Sequence, residues 1–275
     1  MSSLGALDAV VLGVVEGLTE FLPVSSTGHL LVAERLLGLD VGSDGLTGFT
    51  AVIQVGAIIA AVLYFRRDIL ALFAAFFRGL ASRQARRDPE WRFALAVLLG
   101  SIPIGIVGFL AKNVITGLQR LLVVGIALIV WSPVMVLAER RAAQDRSERS
   151  LSFGDALVIG GLQCLALFPG VSRSGATISG GLLRGLDRTS ATRLSFLLGI
   201  PALVGAGLYE LKDATSGGAG PVATSIATVV AFFVAYASIA FLLRFVSSHR
   251  ISAFVPYRVG LGVVILAAVG IAAAT

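Results

Sequence analysis

The chain has 275 residues, of which 56% are hydrophobic and only 14% are charged, and its mean hydropathy is +0.92. This composition excludes a soluble globular domain and predicts an integral membrane protein with several spans. A net charge of +6 would suggest nucleic acid in a soluble protein, but the charge bias of membrane topology accounts for it here, so no nucleic acid partner is expected.

The first predicted element is a helix that breaks inside the apolar segment DAVVLGVVEGLTEFLPVSSTG, residues 8–28. Residues 8–22 are too few to cross a hydrocarbon core of about 30 Å before Pro23 ends the helix, and a second short helix is predicted near 26–37. We expect a re-entrant hairpin, which enters the membrane and leaves on the same side. Its non-helical turn is tolerated only where protein or a wet cavity surrounds it.

This hairpin carries two acidic residues, Glu16 and Glu20, whose spacing places both carboxylates on one helix face. Carboxylates in apolar sequence need a positive partner, which could be a divalent cation or Arg173 from farther along the chain. A solvated helix face beside a cavity is the alternative.

The turn of the hairpin is rich in hydroxyl groups. Ser25 or Ser26 suits the N-cap of the following helix, but capping does not require Thr27 and a histidine as well. Next to these groups and the glutamates, His29 is a candidate acid, base or nucleophile, with a purely structural histidine as the alternative.

Three spans are predicted next, near residues 48–65, 91–111 and 121–138. The arginine-rich segment 66–90 is predicted as a loop between the first two. A nucleic-acid-binding arm is the alternative for this segment, but membrane topology already explains its arginines.

The segment DALVIGGLQCLALFPGVSRSG, residues 155–175, is a copy of the first hairpin at a constant offset of 147 residues. Nine of the 21 aligned pairs are identical, including Asp8/Asp155, Phe21/Phe168, Ser25/Ser172 and Gly28/Gly175. A repeat of this length predicts one membrane domain, 1–275, built from two related halves, 1–147 and 148–275.

The two copies differ at the residues that carry chemistry. The positions of Glu16, Glu20, Ser26 and His29 are taken in the second copy by Gln163, Leu167, Arg173 and Ala176. The halves therefore share a shape and divide a chemical task.

Arg173 lies among small residues and hydroxyls at the start of the second short helix, predicted near 174–186. Helix N-termini bind anions, and a guanidinium adds a bidentate fork that matches phosphate. The segment thus favours an oxyanion ligand, while a structural ion pair between Arg173 and Glu20 is the alternative.

The last three spans are predicted near residues 191–209, 222–245 and 257–274. The fold class is therefore an all-α integral membrane protein with six transmembrane helices and two re-entrant helical hairpins. Because each half crosses the membrane three times, the second half begins on the opposite face, which makes the repeat inverted and brings both turns together near the midplane.

The basic residues support this layout. Seventeen of the 22 fall in or beside the segments 66–90, 139–154, 184–193 and 244–258, against four on the other face: Arg35, Lys112, Arg120 and Lys212. The rich face is predicted to be cytoplasmic, with both termini outside. Glycine-rich helix faces also permit a homodimer.

From the residues alone, one turn offers carboxylates, hydroxyls and histidine, and the other offers arginine and a helix N-terminus. This combination suits phosphoryl transfer on a phosphorylated lipid. A transporter or flippase for lipid phosphate or another anion is the rival, since inverted repeats with broken helices are typical of transporters. The intramembrane charged residues argue against a purely structural scaffold.

The segments EGLTEFLPVSSTGHL (16–30) and PGVSRSGATISGG (169–181) resemble the two signature segments of bacterial undecaprenyl-pyrophosphate phosphatases of the bacitracin-resistance type. Gln54, QCLALFPG and Tyr257-Arg258 fit the same family. The resemblance implies hydrolysis of undecaprenyl pyrophosphate to the monophosphate carrier lipid for peptidoglycan synthesis, resistance to bacitracin, a location in the bacterial cell membrane and a site open to the extracytoplasmic side.

The resemblance also implies roles for individual residues. Glu16 and Glu20 would hold Mg²⁺ or Ca²⁺ or activate the nucleophile, for which Ser26 is the first choice. His29 would assist proton transfer or attack directly. The phosphates would be held by hydroxyls and the guanidinium of the two turns: Ser25, Thr27, Ser172, Arg173, Ser174 and Thr177.

Overall fold

A computed structural model describes residues 4–210 and 220–274, and the predicted extracytoplasmic Lys212 lies outside these residues. The described chain is helical throughout, apart from turns and one isolated β-bridge. The helices are α1 (Ala6–Thr19), α2 (Ser26–Leu36), α3 (Asp44–Tyr64), α4 (Arg66–Ala81), α5 (Pro89–Leu110), α6 (Lys112–Gly117), α7 (Leu121–Arg141), α8 (Phe153–Cys164), α9 (Arg173–Leu183), α10 (Arg188–Glu210), α11 (Pro221–Val246) and α12 (Val255–Ala274).

Six helical segments in the described part of the chain are long and apolar enough to cross a membrane. They are Gly45–Tyr64, Pro89–Leu110, Leu121–Arg141, Arg188–Gly207, Pro221–Val246 and Ile251–Ala273. These segments confirm the six predicted spans, with small changes at their ends.

The predicted hairpins correspond to two pairs of short helices, α1 with α2 and α8 with α9. Each first helix is 14 or 12 residues long and each second helix has 11, too short to cross the hydrocarbon core. The second hairpin begins earlier than predicted, because Ser152 and Asp155 form a capping box at the start of α8.

Both halves use the same packing. Helix α1 packs on α11, and its repeat counterpart α8 packs on α5, which is the counterpart of α11. The contacts are close at equivalent glycines: a Cβ on Gly13 would lie 2.5 Å from the Ala227 carbonyl oxygen, and one on Gly160 would lie 2.2 Å from the Gly100 carbonyl oxygen. This exchange of partners supports the repeat, while the boundary between residues 147 and 148 stays a prediction.

The segment 66–90 is not the predicted loop, because most of it forms the amphipathic helix α4. Leu72, Ala75 and Gly79 face inward, and Trp91 of α5 packs against Gly79. The arginines at the ends of this segment obscured the helical spacing of its apolar residues.

The arginine-rich segments are linked by ion pairs, so the structure places them on one face of the molecule. Asp155 bonds Arg146 and Arg184 at 2.8 and 2.6 Å. Further pairs join Arg188 to Glu139, Arg193 to Asp68 and Glu148, and Arg149 to Glu90. Glu139 also accepts the backbone N–H of Ile251, which ties the beginning of the last span to the same face.

Candidate active site

Both turns contain a serine in the same unusual backbone conformation. Ser25 and Ser172 have positive φ angles of 78° and 77°, a conformation that is unfavourable for residues with a Cβ. Each serine caps the helix that follows, since its Oγ accepts the N–H of Gly28 or Gly175. The predicted capping role is therefore confirmed for Ser25, and the repeat extends to the backbone of the capping serine. It does not extend to Gly170, whose φ of 104° is excluded for its counterpart Pro23.

The two turns are in direct contact. Ser25 Oγ accepts the backbone N–H of Gly170 from the second turn at 3.1 Å. In the opposite direction, Ser174 Oγ donates to the carbonyl oxygen of Leu22 at 3.0 Å. The predicted meeting of the hairpins is confirmed, and each serine uses its hydroxyl to join them.

Glu20 lies where the two hairpins meet. Ser26 donates its hydroxyl hydrogen to Glu20 Oε2 at 2.6 Å. Arg173 approaches the other carboxylate oxygen, Oε1, with Nη2 at 3.4 Å. One carboxylate thus contacts the candidate nucleophile of its own hairpin and the candidate phosphate-binding residue of the other.

Glu16 is buried one helical turn before Glu20, with 1% of its surface exposed. This burial is inconsistent with the solvated helix face considered above. Its Oε1 has no hydrogen-bond partner in the described part of the chain. A buried carboxylate oxygen without a donor is costly, and a cation would satisfy it.

The donor set fits a divalent cation with an incomplete protein shell. No group of three or more His, Cys, Asp or Glu side chains that could hold a metal occurs among residues 4–210 and 220–274. Glu16 and Glu20 would supply two carboxylates, and substrate phosphates and water would complete the oxygen shell, as is usual for Mg²⁺.

Helix α10 holds the Arg173 side chain in place. Its Nη1 donates to the Ser195 carbonyl oxygen at 3.2 Å, and its guanidinium lies 6.0 Å from the centre of the Phe21 ring. A Cβ at Gly199 would lie 1.6 Å from Nη1, so glycine there provides the space for the guanidinium. The alternative ion pair with Glu20 is present, and Arg173 Nε is buried without a hydrogen-bond partner among the described residues.

His29 is fixed through both ring nitrogens. Nδ1 lies 2.7 Å from the Ser25 carbonyl oxygen, which only accepts, so Nδ1 carries the hydrogen. Nε2 of the neutral ring then accepts from the Tyr257 hydroxyl at 2.6 Å, and the two rings stack with an angle of 12°. His29 is therefore oriented by the last span as well as by its own turn.

The remaining hydroxyls predicted to bind substrate occupy different surroundings. Thr27 is exposed, whereas Ser172, Ser174 and Thr177 are buried. Thr177 donates to the Arg173 carbonyl oxygen at 2.8 Å and lies 2.6 Å from Ser195 Oγ. Their contact with substrate stays a prediction.

Four residues were not predicted to belong to the site: Ser195, Gly199, Tyr257 and Arg258. Tyr257-Arg258 was noted only as a segment that fits the family. Arg258 was counted with the basic face, and this assignment is wrong because its side chain is fully buried against both turns. The last span begins at Ile251, so Arg258 lies inside it. A charged residue inside an apolar span is the sequence signal that would have identified it.

The site combines two carboxylates with two guanidinium groups, Arg173 and Arg258, at the junction of broken helices. A nucleophile activated by a carboxylate, opposite a guanidinium with unused donors, is suited to displacement at a phosphoryl group.

The family model described as "Bacitracin resistance protein BacA" matches residues 9–264. The chain is 54% identical to "Undecaprenyl-diphosphatase" of Cutibacterium acnes, over 94% of this chain and 95% of that protein. It is also 54% identical to "Undecaprenyl-diphosphatase 3" of Frankia casuarinae, over 99% of this chain and 100% of that protein. The corresponding protein of Corynebacterium striatum is 45% identical over 97% and 95% of the two chains.

Proposed function

This chain belongs to the family of the bacitracin resistance protein BacA, and we propose that its site hydrolyses undecaprenyl pyrophosphate to undecaprenyl phosphate and inorganic phosphate. The reaction returns the carrier lipid for peptidoglycan synthesis and removes the pyrophosphate lipid that bacitracin sequesters. The observation that carries the proposal is the position of Glu20, which contacts Ser26 of one hairpin and Arg173 of the other.

The geometry supports Ser26 as the nucleophile. Ser26 Oγ attacks the terminal phosphorus while its proton passes to Glu20 Oε2, 2.6 Å away. The bond from that phosphorus to the bridging oxygen breaks, and undecaprenyl phosphate leaves. Arg173 neutralises charge on the transferred phosphoryl oxygens through the donors that it does not use for Ser195 and Glu20.

Water completes the reaction by attacking the phosphorylated Ser26. The phosphorus–Oγ bond breaks, Ser26 recovers its proton from Glu20, and inorganic phosphate is released. His29 accepts the proton of the attacking water at Nε2 after the Tyr257 hydroxyl, which donates to this nitrogen in the structure, has moved aside, and it then releases the proton to solvent. A divalent cation held by Glu16 and Glu20 would supply further charge neutralisation.

Phosphate release from undecaprenyl pyrophosphate by the purified chain in detergent tests the activity. Hydrolysis needs no sealed compartment, whereas the rival transport function requires one. Release of phosphate in detergent is the expected result. A folded chain that releases none, but moves lipid phosphate across vesicle membranes, would establish the transporter instead.

Quenching the reaction in acid and locating the phosphoryl group by mass spectrometry tests the nucleophile. We expect the phosphoryl group on Ser26. A phosphoryl group on His29 would assign the attack to the imidazole, and turnover without any phosphorylated residue would assign it to water.

The chain is a multi-pass membrane protein. We place its arginine-rich face in the cytoplasm and both termini and the site opening outside, because arginine accumulates in cytoplasmic loops. An impermeant maleimide should label Arg83→Cys only in inverted vesicles and Gly220→Cys only in intact cells, both in a Cys164→Ser background. The reverse pattern would invert the topology. A homodimer stays a prediction from the glycine-rich helix faces.

A further inference from the structure

Arg258, in the first turn of α12, joins the two hairpins. Its Nη1 donates to the Pro23 carbonyl oxygen of the first turn at 2.9 Å. Its Nη2 donates to the carbonyl oxygens of Gly170 and Val171 in the second turn, at 2.9 and 3.1 Å. A single guanidinium therefore bonds the first turn through Nη1 and the second turn through Nη2.

These bonds pair buried backbone carbonyl groups that the broken helices leave without partners. Pro23, Gly170 and Val171 lie where the helices are broken, so their carbonyl groups lack helical partners. An unpaired carbonyl away from water is costly, and a guanidinium with its planar donors can serve several of them.

The arginine is not explained by an ion pair. It is fully buried, and no carboxylate in the described part of the chain lies within ion-pair distance of it. Burying an uncompensated guanidinium is unfavourable. A side chain needed only for packing would not require a charge at this position, whereas an anionic substrate between the turns would benefit from it.

Two other residues of the last span, Ile251 and Tyr257, hold Arg258 in place. Tyr257 donates to His29 Nε2 in the first hairpin. Ile251, at the beginning of the same span, donates its backbone N–H to Glu139, which also pairs with Arg188. The guanidinium is thus fixed relative to the outer helices as well as to the two turns.

We infer that Arg258 is a positioning residue that sets the spacing between the nucleophile of the first hairpin and Arg173 of the second. The inference rests on the proposed phosphatase reaction. In the described part of the chain, Arg258 bonds only to backbone carbonyl groups and not to Ser26, Glu20 or Arg173. It acts on catalysis through the relative placement of Ser26 and Arg173, and it adds a second positive charge beside them.

Replacement of Arg258 by methionine tests this role, because methionine fills much of the same apolar space without donors. We expect kcat to fall about 100-fold, the order of loss for a misplacement of about 1 Å, while KM changes by less than about threefold because Arg173 remains. Arg258→Lys keeps the charge but cannot serve both turns with a planar fork, and should recover about a tenth of the wild-type kcat.

Arg184→Met is the matched control. Arg184 also bonds a buried group, Asp155, but at the other end of α9. Its loss should lower the thermal stability without changing kcat. Wild-type kcat in Arg258→Met, or equal loss of kcat in Arg184→Met, would overturn the positioning role.

Amide hydrogen exchange gives a readout that does not depend on activity. In Arg258→Met, peptides covering residues 22–28 and 169–175 should both exchange faster, and neither should change in Arg184→Met. If the wild-type chain releases no phosphate, the proposed function fails, and the exchange still decides whether Arg258 joins the turns. If Arg258→Met does not fold, kcat and amide exchange are measured on Arg258→Lys instead. Unchanged exchange in both turns of that variant contradicts the inference.

Discussion

The two hairpins share the conformation of their capping serine and carry opposite chemistry. Ser25 and Ser172 have the same positive φ angle and the same capping bond, so the start of the second helix is formed alike in both halves. The first hairpin places Glu20 and Ser26 at its turn, and the second places Arg173 there. The repeat thus supplies two similar supports for side chains. A few substitutions make the first hairpin the nucleophilic half and the second hairpin the anion-binding half.

The largest effect is expected from removing the guanidinium of the second hairpin. Arg173→Ala should lower kcat/KM by about 10³-fold. Removing one hydrogen-bond donor that stabilises developing charge lowers kcat by about 10²–10³-fold, and this variant also loses a positive charge. Phosphate release from undecaprenyl pyrophosphate measures it, with Arg173→Lys as an intermediate control. Near-normal turnover in the alanine variant would remove the anion-binding half from the account.

The carboxylate of the first hairpin is tested by its metal dependence, because Glu20→Gln also removes the base for Ser26 and the loss of rate alone would not separate the two roles. Glu20→Gln keeps the size of the side chain but should raise the divalent cation concentration needed for half-maximal activity by about tenfold or more, because a charged oxygen ligand is lost. Titration of Mg²⁺ or Ca²⁺ into chelator-treated protein measures this change.

Glu34→Gln is the control, since Glu34 is a buried carboxylate of α2 outside the pair. Its metal titration should match that of the wild type. An unchanged titration in Glu20→Gln would argue against metal binding by this carboxylate.

A further loss of activity should follow from filling the space that Gly199 leaves for the Arg173 guanidinium. Gly199→Ala would place a Cβ 1.6 Å from the guanidinium and must displace it. We expect kcat/KM to fall by about 10–100-fold with the fold retained. Gly205→Ala, on the same helix with open space at its Cβ, should have wild-type activity. Equal activities of the two variants would show that the position of Arg173 is not critical.

The smallest effect separates the two capping serines. Ser25 Oγ accepts from Gly170 across the junction as well as from Gly28, whereas Ser172 Oγ accepts from Gly175 of its own helix and bonds the neighbouring Ser174 Oγ. Ser25→Ala leaves the buried Gly170 N–H without its acceptor, whereas the Ser174 hydroxyl keeps its bond to Leu22 in Ser172→Ala. Ser25→Ala should therefore be less stable than Ser172→Ala by about 1 kcal/mol. Thermal unfolding in detergent compares them, and the opposite order would contradict the role of Ser25 at the junction.

The sequence was sufficient to predict the spans, the two broken helices and the contact between their turns. Apolar segments with early proline and hydroxyls determine those features locally, and the repeat shows that the turns correspond. The chemical asymmetry at the aligned positions also pointed to Glu16, Glu20, Ser26, His29 and Arg173, whose catalytic roles stay predictions.

The rest depends on tertiary packing, which the local pattern does not record. Gly199 is one of 32 glycines, and nothing in its neighbours indicates that a guanidinium lies above it. Arg258 lies inside the predicted span 257–274, which marks it as unusual, but its bonds to both turns depend on how that span packs against the hairpins. Helix α4 was missed because arginines flank its apolar positions.

A double-mutant cycle between Glu20 and Arg173 tests the central claim most directly, using kcat/KM for phosphate release in Glu20→Gln, Arg173→Ala and the double variant. If the two hairpins act as one unit on one diphosphate, the double variant will be about as active as the worse single variant. Losses that multiply, so that each substitution costs the same with or without the other, would show that the two hairpins contribute independently and would contradict the account.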